Sequence, residues 1–301
     1  MKILITGSNG FVAGSIIAQC STDWEVYGVS RSAQNSRSNH ISYHAMDMLD
    51  EQKLCELITT IQPDVIIHTA AMANIDFCEQ HREIAEKINV GITVQLAALC
   101  KSIGAKLIFC STDTVFDGLK GNYTETDQPK AVNFYAATKI KAEEAVLSAA
   151  DNNVVARLSL VMGLPVMGKG NSFLADIIEK CNKGISIPMP ENEIRTPIDV
   201  ITLGAALIEL AQSAINGIIH LAGNTAINRY AMAQQIAEAL DFSKVLITGT
   251  NSNSIAGRAP RPNNASLDNS KAKQLLATPM RSLTEGLHIT THFKSVLSNY
   301  E

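Results

Sequence analysis

The sequence predicts an α/β fold, a doubly wound parallel sheet with a smaller C-terminal α/β lobe, on three observations. Short apolar runs alternate with helical patterns through the first half of the chain. Those runs are apolar throughout, with no polar alternation. A glycine-rich turn joins the first run to the first helix. Strand–helix alternation implies parallel strands linked by crossover helices, and strands covered on both faces need no polar side.

In chain order, the expected strands are "KILIT", "EVYGVS", "ISYHAM", "DVIIHTA", "KLIFCST" and "VVARLSLV". Helical periodicity fills "GSIIAQC", "DEQKLCELITTI" and "EIAEKINVGITVQLAALCKSI" between them. After about residue 160 the pattern changes. "VMGLPVMGKGNSF" reads as a loop, followed by a helix in "FLADIIEKCNKG" and a short strand in "ISIPM". "IDVITLGAALIELAQSAI" is a helix and "GIIHLAG" a buried strand returning to the main sheet. The expected division is residues 1–160 for the sheet domain, with about 195–223 returning to it, and about 161–194 and 224–301 for the lobe.

The 301 residues are 46% apolar and 18% charged, enough for a substantial core. The net charge is −4, and Lys and Arg form no blocks, so no nucleic acid and no membrane surface is expected as partner. No apolar run reaches spanning length, and the start at "MKILITG" shows no signal-peptide pattern. Cys20, Cys55, Cys78, Cys100, Cys110 and Cys181 have no metal spacing, so no metal is expected and the thiols are read as reduced in a cytoplasmic protein.

"ILITGSNGFVAGS" carries the first chemical signal. Gly7 allows a tight turn, and Gly10 lets the backbone approach a pyrophosphate resting on the helix N-terminus. Ala13 and Gly14 stand where a third glycine is usual, and Ala is small enough for close helix packing. The turn therefore reads as Rossmann-type dinucleotide binding. An NAD site usually ends its second strand with an acid. Here Ser30 and Arg31 stand instead, with Arg37 nearby. A guanidinium suits a 2′-phosphate, so NADP(H) is favoured over NAD(H).

The second signal is "FYAATK", which sets Tyr135 four residues before Lys139. On a helix the two share a face, and "AATKIKAEEAVLSAA" is rich in helix formers.

With the glycine turn, "PDVIIHTAAMANIDFCE", "KINV", "FCSTDTVFDG", "YTETDQPKAVNFYAATKIKAEE", "RLSLVMG", "IRTPIDV" and "RPNNASLDNSKAKQLL", nearly the whole chain resembles the extended short-chain dehydrogenases/reductases. More narrowly it resembles the dTDP-4-dehydrorhamnose reductase-like family of sugar-nucleotide reductases. The resemblance implies an oxidoreductase with a catalytic trio at Thr112, Tyr135 and Lys139. Tyr135 would protonate the keto oxygen, and Thr112 would donate a hydrogen bond to it. Lys139 would hold the nicotinamide ribose, and its ammonium together with the positive ring of the oxidised nicotinamide would pull the tyrosine pKa down by roughly 1–3 units. Further cofactor contacts are implied at Asn9, Phe11 and Val12 on the turn, and at Asp47 and Met48 against the adenine. Ala70, Ala71 and Met72 would line the nicotinamide side, and Asn89 would support the lysine through water, with a capping or packing asparagine as the alternative. Asp113, Thr114, Leu160, Arg195, Arg258 and Arg261 match positions facing the substrate. His68 reads as a packed strand residue.

The chain departs from the family pattern in places. Thr114 stands where a tyrosine is frequent, and Leu158 and Leu160 lie where a tryptophan is frequent, which puts the sugar in question but not the chemistry. Related dehydratases place Asp-Glu after the threonine. Asp113-Thr114 lacks that glutamate, which favours a net reductase. The expected reaction is NADPH-dependent reduction of a 4-keto (deoxy)sugar nucleotide to its 4-hydroxy product. The expected partner is that small molecule, with a homodimer as the one self-association considered. Reduction of another small ketone is an alternative. So is a non-enzymatic role, because a regulatory subunit of methionine adenosyltransferase shares the fold and many motifs.

Overall fold

The computed structural model describes residues 1–32, 41–167 and 172–297; Arg37 lies outside them. The main elements are β1 (Lys2–Thr6), α1 (Phe11–Gln19), β2 (Glu25–Ser30), β3 (Ile41–Ala45), α2 (Glu51–Ile61), β4 (Val65–His68), α3 (Ile75–Gln80), α4 (Arg82–Glu86), α5 (Ile92–Ile103), β5 (Lys106–Thr112), α6 (Phe134–Ala149) and β6 (Val154–Leu158). They continue with β7 (Val161–Met162), α7 (Phe173–Asn182), β8 (Ile187–Pro190), β9 (Ile194–Arg195), β10 (Ile198–Asp199), α8 (Val200–Gln212), β11 (Gly217–Leu221), β12 (Ile227–Asn228), α9 (Arg229–Ala239), β13 (Ile247–Thr250), α10 (Ser270–Leu275) and α11 (Leu283–Leu297).

The predicted fold class is borne out. Seven strands form one sheet in the order β11-β6-β5-β4-β1-β2-β3, and every neighbouring pair is parallel. The continuous apolar runs have the expected cause. Ile3 and Ile5 face one core, which includes α1 and α8, while Leu4 faces the other, which includes α2, α5 and α6. Ile108 and Cys110 divide from Leu107 and Phe109 in the same way. Chain direction across the sheet reverses between β1 and β4, which opens a crevice beyond their C-terminal ends. After β6 a third apolar core forms, in which Leu174 and Ile177 of α7 meet Met232 and Ile236 of α9 and Ile187 of β8.

Two segments differ from the sequence expectation. "VVARLSLV" is not one strand: it leaves the sheet after Leu158, and Val161–Met162 pairs instead with Ile198–Asp199. Ser159 makes the break, its backbone N–H donating to Leu221 and its hydroxyl reaching Asp113. The long helical run before β5 is interrupted by a π-helical turn at Lys87–Gly91. The extra residue turns Asn89 inward, where it is buried.

Two sheet histidines are buried and neutral. The Thr93 hydroxyl donates to the Asn89 carbonyl, so it must accept from His68 Nε2–H (3.1 Å), and His68 Nδ1 then accepts from the Thr6 hydroxyl (2.7 Å). His220 Nε2 faces the Arg157 guanidinium at 3.4 Å, while Nδ1 lies 3.1 Å from the Tyr123 carbonyl, which requires the proton on Nδ1. Burial pushes both rings down to about 3, His68 with help from Lys139 and His220 with help from Arg157. Unfolded histidines take up protons near pH 6.5, and these two do so only near pH 3 when folded. The stability they contribute is therefore present above about pH 6.5 and is lost as pH falls towards 3. At about 1.4 kcal/mol per group and pH unit, lowering the pH from 6.5 to 5 is expected to remove on the order of 4 kcal/mol. Urea denaturation across that range measures it, and a flat stability would contradict the assignment.

Candidate active site

The glycine turn sits at the mouth of the β1/β4 crevice. Gly7 has φ +69°, and a Cβ there would lie 3.0 Å from the Ala70 backbone, so only glycine lets the two loops meet without strain. Gly10 is the N-cap of α1 and supplies no side-chain cap, and no acid occupies the first turn. The first N–H groups of α1 therefore point out of the helix with no side chain over them. Ser8 Oγ and Asn9 Oδ1 are buried there without a hydrogen-bond partner. Both observations fit a bound anion such as a pyrophosphate.

Asn9 Nδ2 donates to the backbone and hydroxyl of Ser32, tying the turn to the end of β2. Ser30 donates to the Ser32 carbonyl, which leaves Arg31 exposed beside the turn. Asp47 accepts from the Leu49 N–H. Met48 is buried in the core around α2 and α5, so much of its side chain is taken up by packing. Ala70, Ala71 and Met72 follow β4 on the other side of the crevice.

Asn89 makes direct packing bonds. Its Oδ1 accepts from Met72 N–H (2.8 Å), and its Nδ2 reaches the Met72 carbonyl (3.2 Å) and the Thr138 hydroxyl (3.1 Å). It clamps the loop after β4 onto α6.

Thr112 ends β5, and Tyr135 and Lys139 share one face of α6, all three buried or nearly so. Asn133 caps α6 by accepting from the Ala136 N–H. Lys139 Nζ donates to the Cys110 carbonyl (2.8 Å) and lies 3.9 Å from the centre of the Phe109 ring. Thr112 Oγ1 is 3.0 Å from Thr114 Oγ1 and 3.3 Å from Asp113 Oδ1. Thr112 and Tyr135 line the same cleft.

The expected depression of the tyrosine pKa belongs to the complex with oxidised nicotinamide, whose positive ring was to act together with Lys139. In the protein alone, burial, then Asp113, push Tyr135 above its ordinary value. Burial lowers Lys139 itself to about 8. The protein's own groups thus hold Tyr135 as a neutral phenol, a proton donor.

Thr112 and Tyr135 open into a cleft of about 490 Å³ whose walls include Asp113, Thr114, Leu160, Arg195, Arg258 and Arg261. Leu158 also lines it. The arginines are not free. Arg261 forks onto Asp76 (2.9 and 2.8 Å). Arg195 is buried, 3.5 Å from Asp113 and bonded to the carbonyls of Ile194 and Pro262. Arg258 lies 3.5 Å from Glu193. Burial pushes Asp113 up against the pull of Arg195. Glu193, Arg229 and Asp76 also line the cleft and were missed from the sequence. Glu193 lies two positions before Arg195, a strand spacing that could have signalled a shared face. Nothing in the pattern around Arg229 could have done so. Part of the expected wall from Gly163 to Asn171, residues 168–171, lies outside the described residues.

The model of the family described as "RmlD substrate binding domain" matches residues 1–294. Among curated proteins, methionine adenosyltransferase 2 subunit beta of Mus musculus is 31% identical over 298 residues, covering 93% of this chain and 85% of that protein. The probable low-salt glycan biosynthesis reductase of Haloferax volcanii is 26% identical over 293 residues, with 95% and 96% covered. Among solved structures, a hypothetical dTDP-4-dehydrorhamnose reductase from Sulfolobus tokodaii superposes with a TM-score of 0.82 at 30% identity, covering 95% of this chain and 99% of that one. A dTDP-4-dehydrorhamnose reductase from Bacillus anthracis, in complex with NADP, shares the fold with a TM-score of 0.86 at 22% identity, covering 97% and 98%.

The Asn89 clamp gives a direct test. Asn89→Ala strips both hydrogen bonds from the buried Met72 backbone and should cost about 1–3 kcal/mol. Chemical denaturation measures it, and an unchanged midpoint would show that the clamp carries no weight.

Proposed function

The chain belongs to the RmlD substrate-binding-domain family, and from that premise we propose that it is an NADP(H)-dependent oxidoreductase that reduces a 4-keto (deoxy)sugar nucleotide to its 4-hydroxy product. The observation that carries the reading is that Thr112 and Tyr135 line one cleft with Arg195, Arg258 and Arg261, while Lys139 lies one turn on from Tyr135 on the same helix.

The residues fit the cofactor. Gly7 and Gly10 shape the turn, and the first turn of α1 with Ser8 and Asn9 meets the pyrophosphate. Arg31 meets the 2′-phosphate, Asp47 and Met48 the adenosine side, and Phe11 and Val12 the turn side. NADPH, when bound, supplies the hydride. The protein supplies the rest. Thr112 orients the keto oxygen against Tyr135, and the Tyr135 phenol gives that oxygen a proton. Lys139 stabilises the tyrosinate left behind and orients the nicotinamide ribose. On this reading residues 1–160, with 195–223, hold the cofactor, while 161–194 and 224–301 close over the sugar nucleotide. Asp113-Thr114 supplies no second carboxylate for elimination.

A second reading has one observation in its favour: the 31% identity to methionine adenosyltransferase 2 subunit beta. On that reading the chain binds NADP(H) and a partner enzyme without turnover.

The test is NADPH consumption with a panel of 4-keto nucleotide sugars. Turnover should be faster with NADPH than with NADH, and Tyr135→Phe should lower it at least ~100-fold while leaving NADPH binding nearly intact, as loss of a positioned acid does. No consumption by the wild-type protein, together with co-purification of a methionine adenosyltransferase, would replace the first reading by the second.

A further inference from the structure

Four arginines line the cleft, and they fall into two pairs. Arg195 and Arg261 are buried, with 6% and 9% of their side chains exposed. Both are fixed by hydrogen bonds, Arg195 to the Ile194 and Pro262 carbonyls and Arg261 to Asp76. Arg229 and Arg258 keep 24% and 22% of their side chains exposed. One carboxylate holds them both, and it does so by charge. Glu193 Oε2 lies 3.7 Å from Arg229 Nη1, and Glu193 Oε1 lies 3.5 Å from Arg258 Nη2, each longer than a hydrogen bond. Glu193 Oε1 and Arg229 Nε are both buried without a hydrogen-bond partner.

We propose that Arg229 and Arg258 are the pair that takes the diphosphate of the substrate, with Glu193 as the internal counter-ion that holds both guanidiniums until the ligand arrives. Arg195 and Arg261 shape the wall. The identity of the ligand rests on the nucleotide-sugar reading, whereas the anion site does not.

The backbone builds this arrangement. β9 pairs with β12 through Ile194 and Asn228, and the Arg229 N–H donates to the Glu193 carbonyl at 3.0 Å. Arg229 opens α9, and its guanidinium lies 4.6 Å from the centre of the Phe173 ring. A guanidinium stacked on a ring keeps its edge free to fork onto an oxyanion. Glu193 is buried more deeply than either arginine, so an entering ligand meets the two guanidiniums before the carboxylate. The charges also fail to cancel here. Asp113 and Asp76 each answer one buried arginine, whereas Glu193 answers two partly exposed ones. The surplus positive charge thus falls on the pair that solvent reaches. A diphosphate carries charge on both phosphoryl groups and offers each guanidinium an oxyanion. Thr112 and Tyr135 line the same cleft, so one ligand can reach the anion site and the two hydroxyls together.

The test is calorimetric titration of the protein saturated with NADP+, which occupies the cofactor's own pyrophosphate site. The probes are dTDP and UDP, with thymidine and uridine as controls lacking the anion. One diphosphate or both should bind the wild-type protein, more tightly than the matching nucleoside. Arg229→Met and Arg258→Met should each weaken that binding about 10-fold or more, as loss of charge-assisted hydrogen bonds does. Glu193→Gln should tighten it, because the carboxylate no longer competes for the guanidiniums. A merely structural role for the three residues would weaken all three variants, and that pattern would overturn the proposal. Should an arginine variant not fold, Arg229→Lys and Arg258→Lys keep the charge without the fork, and weaker binding is again expected. Wild-type affinity in the arginine variants, or no binding of either diphosphate to the wild-type protein, would also overturn it. Binding that weakens as expected, in a protein that consumes no NADPH with 4-keto nucleotide sugars, would uphold the anion site and sink the reductase reading alone. Turnover whose KM is unchanged by Arg229→Met would sink the anion site and leave the reductase reading standing.

Discussion

The seating of α6 against the end of β5 is the contact on which the site depends. One face of that helix presents Tyr135, Lys139 and Glu143 at successive turns, and each meets the strand differently. Tyr135 lines the cleft with Thr112, Lys139 donates to the Cys110 carbonyl, and Glu143 accepts from Ser111. Three consecutive residues of β5, Cys110 to Thr112, thus meet a single helix face. A buried ammonium and a buried carboxylate are each costly alone, and an uncompensated one costs several kcal/mol. Arg157, paired with Glu143, and the carbonyl and ring around Lys139 supply the compensation, so the helix cannot rotate without exposing a charge to an apolar core.

The cleft follows another logic. Its cations are already paired, Arg261 with Asp76, Arg195 with Asp113 and Arg258 with Glu193. The Arg261 pair also joins the far C-terminal loop to α3, since Asp76 accepts from the Ala259 N–H as well. That loop is held against α6 through Asn133, which donates to the Pro260 carbonyl. Positive charge is thus stored in the wall with little desolvation cost and with fixed geometry. An anion entering the cleft meets guanidinium groups already in place.

Much of this was legible in the sequence, for physical reasons that differ by residue. The sheet was readable because strands such as "KILIT" and "KLIFC" bury both faces, which no surface helix tolerates. Gly7 was readable because its conformation and its approach to Ala70 leave no alternative. Tyr135 and Lys139 were readable because a spacing of four becomes contact once a helix forms. The π-turn at Lys87–Gly91 was not, since the helical period on either side is undisturbed and the slip is set by the burial of Asn89. Nor was the pairing of the arginines, because Arg261 and Asp76 are 185 positions apart and no local pattern links them. The depth at which Tyr135 and Lys139 are buried was not legible either, because spacing shows who is near but not how deeply both are buried.

The measurement that most directly tests the account is a crystal structure of the protein with NADP(H) and a 4-keto nucleotide sugar or its 4-hydroxy product. The account predicts the C4 oxygen within hydrogen-bonding reach of both Thr112 Oγ1 and the Tyr135 hydroxyl, about 2.6–3.2 Å, with the nicotinamide against the face of that carbon. A sugar bound with its C4 oxygen turned away from Thr112 and Tyr135, or a cleft that admits no nucleotide beside the cofactor, would contradict it.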